Sequence, residues 1–263
     1  MIFYSYLQEI DFKLDKLLII GNGSNILASD KEYTGIVVSF KKVSDRIRII
    51  SSKTLKCFEK IVECYSGVMC NKLSNYLKDN NLTGGEALST IPGTIGGVVS
   101  MNASCYDYVT SDYVLEVLVL HNNNVKWIKK EELGFGYRDS IIQKDNMIIL
   151  KVRFVFLCGK KELIENKIRF LKAERSKKQP IRDHSAGSVF KNINNIKAWE
   201  LIERCKLKGF RYKDAMISNK HANFIINNGV SGDDIYILMR IIKMIVKRVL
   251  DYDLETEWVL INF

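Results

Sequence analysis

Proline is nearly absent from this chain of 263 residues. Only Pro92 and Pro180 occur, so there is no proline-rich linker and no composition break to mark a domain boundary. Glycine is also sparse, at 16 residues, so a stretch where several gather needs a reason. The six cysteines, Cys57, Cys64, Cys70, Cys105, Cys158 and Cys205, never form a CxxC pair. That excludes zinc ribbons and compact disulfide frameworks, and no metal site is expected. Thiols used mainly for packing point to the cytoplasm. Long apolar runs are missing too, since charge interrupts each one before the ~20 residues a spanning helix needs. The opening MIFYSYLQEIDFKLDKLLII lacks the basic start and small-residue cleavage site of a secretory signal. A soluble, cytoplasmic protein with no membrane partner is the expectation.

What is present is a positive balance, 40 Lys and Arg against 30 Asp and Glu. These charges are scattered (KKVSDRIR, ERSKKQPIR, MRIIKMIVKR) and lack the interleaved aromatics of a nucleic-acid platform. No nucleic-acid partner is expected, whereas a small anionic substrate would be drawn in by such a field.

From Leu17 to Phe156 the chain reads as strands: LLII, GIVVSF, RIRIIS, FEKIVECYSG, VLEVLVLH, VKWIKK and MIILKVRFVF. His121-Asn122-Asn123-Asn124 predicts a turn. One helical interval, VMCNKLSNYLKDNNL, breaks the series. Beyond Gly159 the period becomes helical in KKELIENKIRFLKAERSKK, AWELIERCKL and DDIYILMRIIKMIVKRVLDYD. Ser231 and Asp234 suit a capping-box variant ahead of the last helix. The change of period gives an α+β class with domains at 1–157 and 158–263.

Five stretches can carry chemistry. In LLIIGNGSNILASD, Gly21, Asn22, Gly23, Ser24 and Asn25 follow a strand, so backbone amides and polar side chains can cradle an anion, although an ordinary strand-to-loop turn reads the same. In GGEALSTIPGTIGGVVSMNASCYD, Thr90, Pro92, Gly93, Gly96, Gly97, Asn102 and Ala103 let a backbone lie against a flat or elongated ligand, and a structural glycine loop is the competing reading. FGYRDS places Tyr137 beside Arg138, a pairing that also serves as a surface feature. SAGSVFKN holds Ser188, for which a helix cap is the plain alternative. In DLETEWVLINF, Asp253, Glu255 and Glu257 alternate and share a face if a strand begins that early.

In their order these stretches, with AWELIE and ISNKHANFIIN, resemble the UDP-N-acetylenolpyruvoylglucosamine reductase (MurB) family, in its shorter second type, from about Leu17 to Val259. The resemblance implies a two-part FAD-binding fold of the vanillyl-alcohol-oxidase type, followed by a C-terminal α+β substrate domain. It implies FAD as cofactor, NADPH as hydride donor, and reduction of the enolpyruvyl ether of UDP-N-acetylglucosamine to UDP-N-acetylmuramate for the cell wall. The GNGSN and glycine-rich residues would hold FAD. Arg138, with Glu257 as partner, would stabilise the enolate left by hydride arrival, and Ser188 would give the proton. Tyr137, Arg175, Lys178 and Asn192 would contact substrate, and a monomer is expected.

The chain departs from the family pattern in two places. About twenty residues precede Gly21, fewer than the family's usual strand and helix with a glycine-bearing FAD contact, so weaker FAD binding is expected. The usual MNAG and LEPE stand here as Met101-Asn102-Ala103-Ser104 and Leu254-Glu255-Thr256-Glu257. Another FAD-dependent oxidoreductase of the same superfold is the leading competing reading and a flavin-free binding protein of the same fold a second, which visible absorbance of the purified protein separates from the enzymes.

Overall fold

Strict alternation in EKIVECY and in the longer VLEVLVLH and IILKVRFVFLC suits strands that bury one face, and these three lie side by side in one antiparallel sheet. The computed structural model describes residues 16–50 and 58–263. The N-terminal stretch MIFYSYLQEIDFKLD, Ser51 and Cys57, all of which bear on expectations above, lie outside the described residues.

In chain order the elements begin β1 (Leu17–Ile20), β2 (Ile26–Ala28), β3 (Ile36–Ser39), β4 (Ile47–Ile50), β5 (Glu59–Tyr65), α1 (Cys70–Asp79) and β6 (Leu82–Thr83). Next come α2 (Ile95–Ser100), β7 (Ser104–Cys105), β8 (Tyr108–Val109), α3 (Thr110–Tyr113), β9 (Val114–His121), β10 (Asn124–Lys129), α4 (Ile141–Lys144) and β11 (Ile148–Cys158). The series closes with α5 (Lys161–Lys178), α6 (Ala198–Arg204), β12 (Arg211–Tyr212), β13 (Ala215–Ile217), β14 (Ile225–Asn227), α7 (Gly232–Leu250) and β15 (Val259–Ile261). Two compact units result. The first takes the residues up to Asn22 together with Gly35–Ala173, and the second takes Gly23–Thr34 together with Glu174–Phe263.

In the first unit the sheet runs β10-β9-β11-β5-β4, with β6 paired to the end of β11. The β9–β10 hairpin turns on Asn122 and Asn123, at φ 48° and 60°. Two successive left-handed residues match the right-handed twist of the flanking strands, and asparagine tolerates that conformation better than most residues. One face of the sheet packs Val62, Cys64, Val117, Val119, Val152, Phe154 and Phe156 against α1 and α2. On α1, Cys70, Leu73 and Leu77 are buried at a helical spacing, and Asn81 at φ 56° follows the helix end.

The other face carries a charged row across four strands. Glu63 is 3 % exposed and accepts hydrogen bonds from Arg48 (3.0 and 2.7 Å) and Arg153 (2.9 Å). Arg153 also reaches Glu116 at 2.5 Å and lies over the Trp127 ring. These residues are cross-strand neighbours, Arg48 opposite Glu63 opposite Arg153 opposite Glu116, so sheet register alone brings the opposite charges together.

In the second unit the core forms around α7, whose Ile235, Leu238, Met239, Ile242 and Val246 are buried at i, i+3, i+4, i+7 and i+11. Ser231 caps this helix, its Oγ accepting from the Asp234 N–H at 3.1 Å. The capping box is only half formed, because the Asp234 carboxylate takes the Lys213 ammonium instead (2.8 Å). The strands here are short, β12-β13-β14 and the parallel pair β2–β15. The alternation of Asp253, Glu255 and Glu257 does not begin a strand, since β15 starts at Val259. Asp253 pairs with Lys247 and Glu255 with Lys191.

Among the described residues Cys64, Cys70, Cys158 and Cys205 are free thiols. Among those residues no group of His, Cys, Asp and Glu could hold a metal ion, and no helix is long and apolar enough to cross a membrane.

Candidate functional site

Within the first unit, β1 delivers Gly21 and Asn22 to the IPGTIGG segment. A side chain at Gly21 would run into the Thr94 hydroxyl, so only glycine permits this approach. The Asn22 side-chain amide then donates to the Pro92 carbonyl at 2.6 Å. Read from sequence as a loop, residues 95–100 instead form the helix α2, with Thr94 at its N-cap.

Several of the expected cofactor contacts already have protein partners. The Gly96 N–H donates to Ser66 (2.7 Å), and the Gly93 carbonyl accepts from Cys70 (3.0 Å). Thr90 is buried, and its hydroxyl donates to Ala87 (2.7 Å). Ala103 exchanges backbone bonds with Val98 and Thr110. Gly97 and Pro92 are exposed, and a Cβ built on Gly97 would come no nearer than 3.6 Å to any atom. A bare backbone edge therefore remains for a ligand to lie on.

The same unit laces FGYRDS to MNAS. Asn102, buried and at φ 41°, donates to the Gly136 carbonyl at 2.9 Å and accepts from the Ser111 N–H at 3.0 Å. Ser140 and Gln143 both donate to the Ser100 carbonyl, at 2.6 and 2.7 Å. Arg138 adopts φ 55° and is half-buried. Its guanidinium donates to the Ser104 hydroxyl (2.7 Å) and the Ser104 carbonyl (3.2 Å), and it lies 5.2 Å from the ring of the exposed Tyr137.

Within the second unit, the GNGSN loop continues through Gly23, at φ 72° with open space where a side chain would stand. The Asn25 side chain donates to the Glu257 carbonyl (3.0 Å), and the Asn25 carbonyl accepts from Val259 (3.0 Å). Residues 189–191 run antiparallel to 255–257: Glu257 N–H donates to Val189 (2.8 Å), Lys191 N–H donates to Glu255 (2.8 Å), and Phe190 bridges Thr256. Val189 thus faces Glu257, and Ser188 precedes this pairing by one residue. Ser188 begins no helix, because the next one, α6, has Lys197 at its N-cap. That removes the plain capping alternative.

The remaining candidates in this unit have structural partners. Arg175 is half-buried near the end of α5, and Lys178 pairs with Glu174 at 2.9 Å on an exposed face. Asn192 accepts from the Ala198 N–H (3.1 Å) at the start of α6, a capping role supplied from outside the helix.

Sequence reasoning did not single out Asn223 in ISNKHANFIIN. It is 4 % exposed, accepts from the Phe190 N–H (3.0 Å) and donates to the Phe190 carbonyl (2.8 Å), so its amide pairs with residue 190 as a strand would. An asparagine inside an apolar run was the available signal, since a buried amide needs partners on both sides. The Asn223 N–H donates to the His221 ring Nδ1 (3.2 Å), and burial holds the His221 pKa below its usual value.

Residues 7–126 match an FAD binding domain, and residues 179–261 match the C-terminal domain of UDP-N-acetylenolpyruvoylglucosamine reductase. The enzyme of that name from Clostridium tetani is 39% identical over 246 residues, 93% of this chain and 77% of its own length. One from Bacillus cereus is 35% identical, across 95% of this chain and 82% of its own. The crystal structure of UDP-N-acetylenolpyruvylglucosamine reductase (MurB) from Thermus caldophilus superposes with a TM-score of 0.80 at 30% identity, covering 98% of this chain and 89% of that one. The fold is the α+β arrangement of an FAD-binding domain with a MurB C-terminal domain, and the chain belongs to the UDP-N-acetylenolpyruvoylglucosamine reductase family of FAD-dependent oxidoreductases.

Proposed function

We propose that this chain uses NADPH to reduce the enolpyruvyl ether of UDP-N-acetylglucosamine to UDP-N-acetylmuramate, as a cytoplasmic monomer supplying peptidoglycan synthesis. The observation that supports this reading is the pairing of residues 189–191 with 255–257, which joins the SAGSVFKN and LETE segments, while Ser188 itself begins no helix.

The residues suit FAD. Gly97 and Pro92 offer an exposed backbone edge, and Gly23 leaves open space at a left-handed turn, where backbone amides can meet a pyrophosphate. When bound, FAD would supply the hydride chemistry that links NADPH to the methylene carbon of the enolpyruvyl group.

The protein's part is charge and protons. As the methylene carbon becomes a methyl group, negative charge moves onto the adjacent carbon and the carboxylate. A fixed guanidinium at Arg138 stabilises that enolate, and the carboxyl group of Glu257 would share in the task. Ser188 donates its proton to the carbon beside the carboxylate and recovers one from water. Serine is a weak acid, so proximity and a strongly basic enolate must do what a matched pKa would otherwise do. Arg175 and Lys178 would meet the diphosphate, and Asn192 and Tyr137 the enolpyruvyl end.

The test supplies the purified, FAD-loaded protein with NADPH and the enolpyruvyl substrate. One UDP-N-acetylmuramate should form per NADPH consumed. NADPH oxidation that does not depend on the enolpyruvyl substrate, or protein that stays colourless with excess FAD, would overturn the reading.

A further inference from the structure

Ser104 stands where the family pattern has glycine, and it is the residue on which the Arg138 guanidinium rests. The hydroxyl accepts from Nη1 at 2.7 Å and the carbonyl of the same residue accepts from Nη2 at 3.2 Å. Two donors on separate nitrogens of a planar group, held by one residue, fix the plane of that group as well as its position. We infer that Ser104 is the positioning residue for Arg138 in this enzyme, setting the direction in which the cation presents its charge to the substrate.

Three further features agree with that role. Arg138 sits at φ 55°, a backbone conformation uncommon for a residue other than glycine, asparagine or aspartate, so the loop already turns this side chain in a fixed direction. Ser104 lies on β7, which is paired residue by residue with β8 (Ser104 with Val109, Cys105 with Tyr108), so the acceptor is itself held. The Asn102 to Gly136 bond ties the two segments together two residues away on each side. A glycine at 104 would keep the carbonyl and lose the hydroxyl, removing the Nη1 contact that helps fix the plane of the guanidinium.

The inference rests on the assignment of Arg138 as the cation for the enolate. The experiment compares Ser104→Ala, Ser104→Gly, Ser104→Thr and Arg138→Lys, together with the double variant Ser104→Ala/Arg138→Lys. Rapid mixing follows the two half-reactions, thermal melting reports the fold, and titration of the oxidised enzyme gives the substrate Kd. Ser104→Ala and Ser104→Gly should slow transfer to the enolpyruvyl substrate about tenfold, the loss of one hydrogen bond to a charged group. Reduction by NADPH and the melting temperature should stay as in the parent enzyme, the substrate Kd should weaken less than the rate falls, and Ser104→Thr should restore most of the rate. In the Arg138→Lys background, Ser104→Ala should cost little more, because both changes remove one interaction.

An equal further loss in that background, or a full rate in Ser104→Ala while Arg138→Lys is slow, would overturn the inference alone. A full rate in Arg138→Lys and also in Arg138→Ala would instead overturn the assignment of the arginine. If the alanine variant melts early, the glycine and threonine variants decide, and failure of threonine to rescue would count against positioning.

Discussion

Each of the two units holds a buried polar group that is satisfied in its own way. The first hides a charge: Glu63 sits under Arg48, Arg153 and Lys151 on a broad sheet. The second hides a neutral amide, Asn223, that stands in for a strand edge beside Phe190. Long strands in register place opposite charges next to each other at each step, so a buried carboxylate can be neutralised from both sides. Short segments have no such ladder, and a single side chain must complete their backbone pairing.

The largest test of that contrast lies in the second unit. Ser188→Ala should lower the rate of transfer to the enolpyruvyl substrate by about 10²–10⁴-fold, the range for loss of a general acid, while reduction by NADPH and the melting temperature stay unchanged. Stopped-flow absorbance with a parallel thermal melt reads both. A lower melting temperature with an intact rate would return the serine to a structural role.

In the first unit the effect should be on stability. Glu63→Gln leaves the cations without their counter-charge and should cost about 2–3 kcal/mol in a denaturant melt, less than a fully buried pair because Arg48 is mostly exposed. Burial would raise this carboxyl, but the hydrogen bonds from Arg153 and Arg48 outweigh it and hold the pKa below the ordinary value. A carboxyl depressed in the folded state contributes stability above its unfolded pKa and loses it as pH falls. The parent protein should therefore lose part of its stability below about pH 4, and the glutamine variant should lose less over that range.

His221 gives the second unit a different window. Its pKa is lowered by burial, so the folded state binds protons less readily than the unfolded one, and stability present above about pH 6.5 declines as pH falls through mildly acid values. Protonation also removes the Nδ1 acceptor from the Asn223 N–H. His221→Gln should flatten the dependence between about pH 6.5 and 5 while leaving the Glu63 window in place. A single acid transition in both variants would erase the distinction between the units. The smallest expected effect is at Ser231→Ala, about 1 kcal/mol for loss of the cap on α7, read by the same melts.

The first unit was the more legible of the two. β5, β9 and β11 follow from alternation, the hairpin from Asn122-Asn123, and α1 from its apolar spacing, because each depends on neighbours a few residues away. The short strands β12, β13 and β14 carry no such period, and neither does α2, whose two glycines read as a loop until Thr94 caps it. At the candidate site, motif order pointed to Arg138, Ser188 and Glu257. It did not reveal that residues 189–191 pair with 255–257, nor that Ser104 accepts from Arg138 and Asn223 pairs with Phe190. Those depend on pairings between distant segments, which leave no local pattern.

The parallel pairing of β2 with β15 sets Ile26 beside Val259 and Asn25 beside Glu257, 232 residues apart. During synthesis, Gly23–Thr34 leaves the ribosome before most of the first unit exists, yet its strand partner arrives only after Val259 has been added. The long antiparallel sheet can form while this segment waits unpaired, so its closure is among the most non-local and entropically costly steps of folding. Since Glu257 lies in that late-arriving stretch, a nascent chain with a completed sheet would still lack the carboxyl group proposed to share in stabilising the enolate.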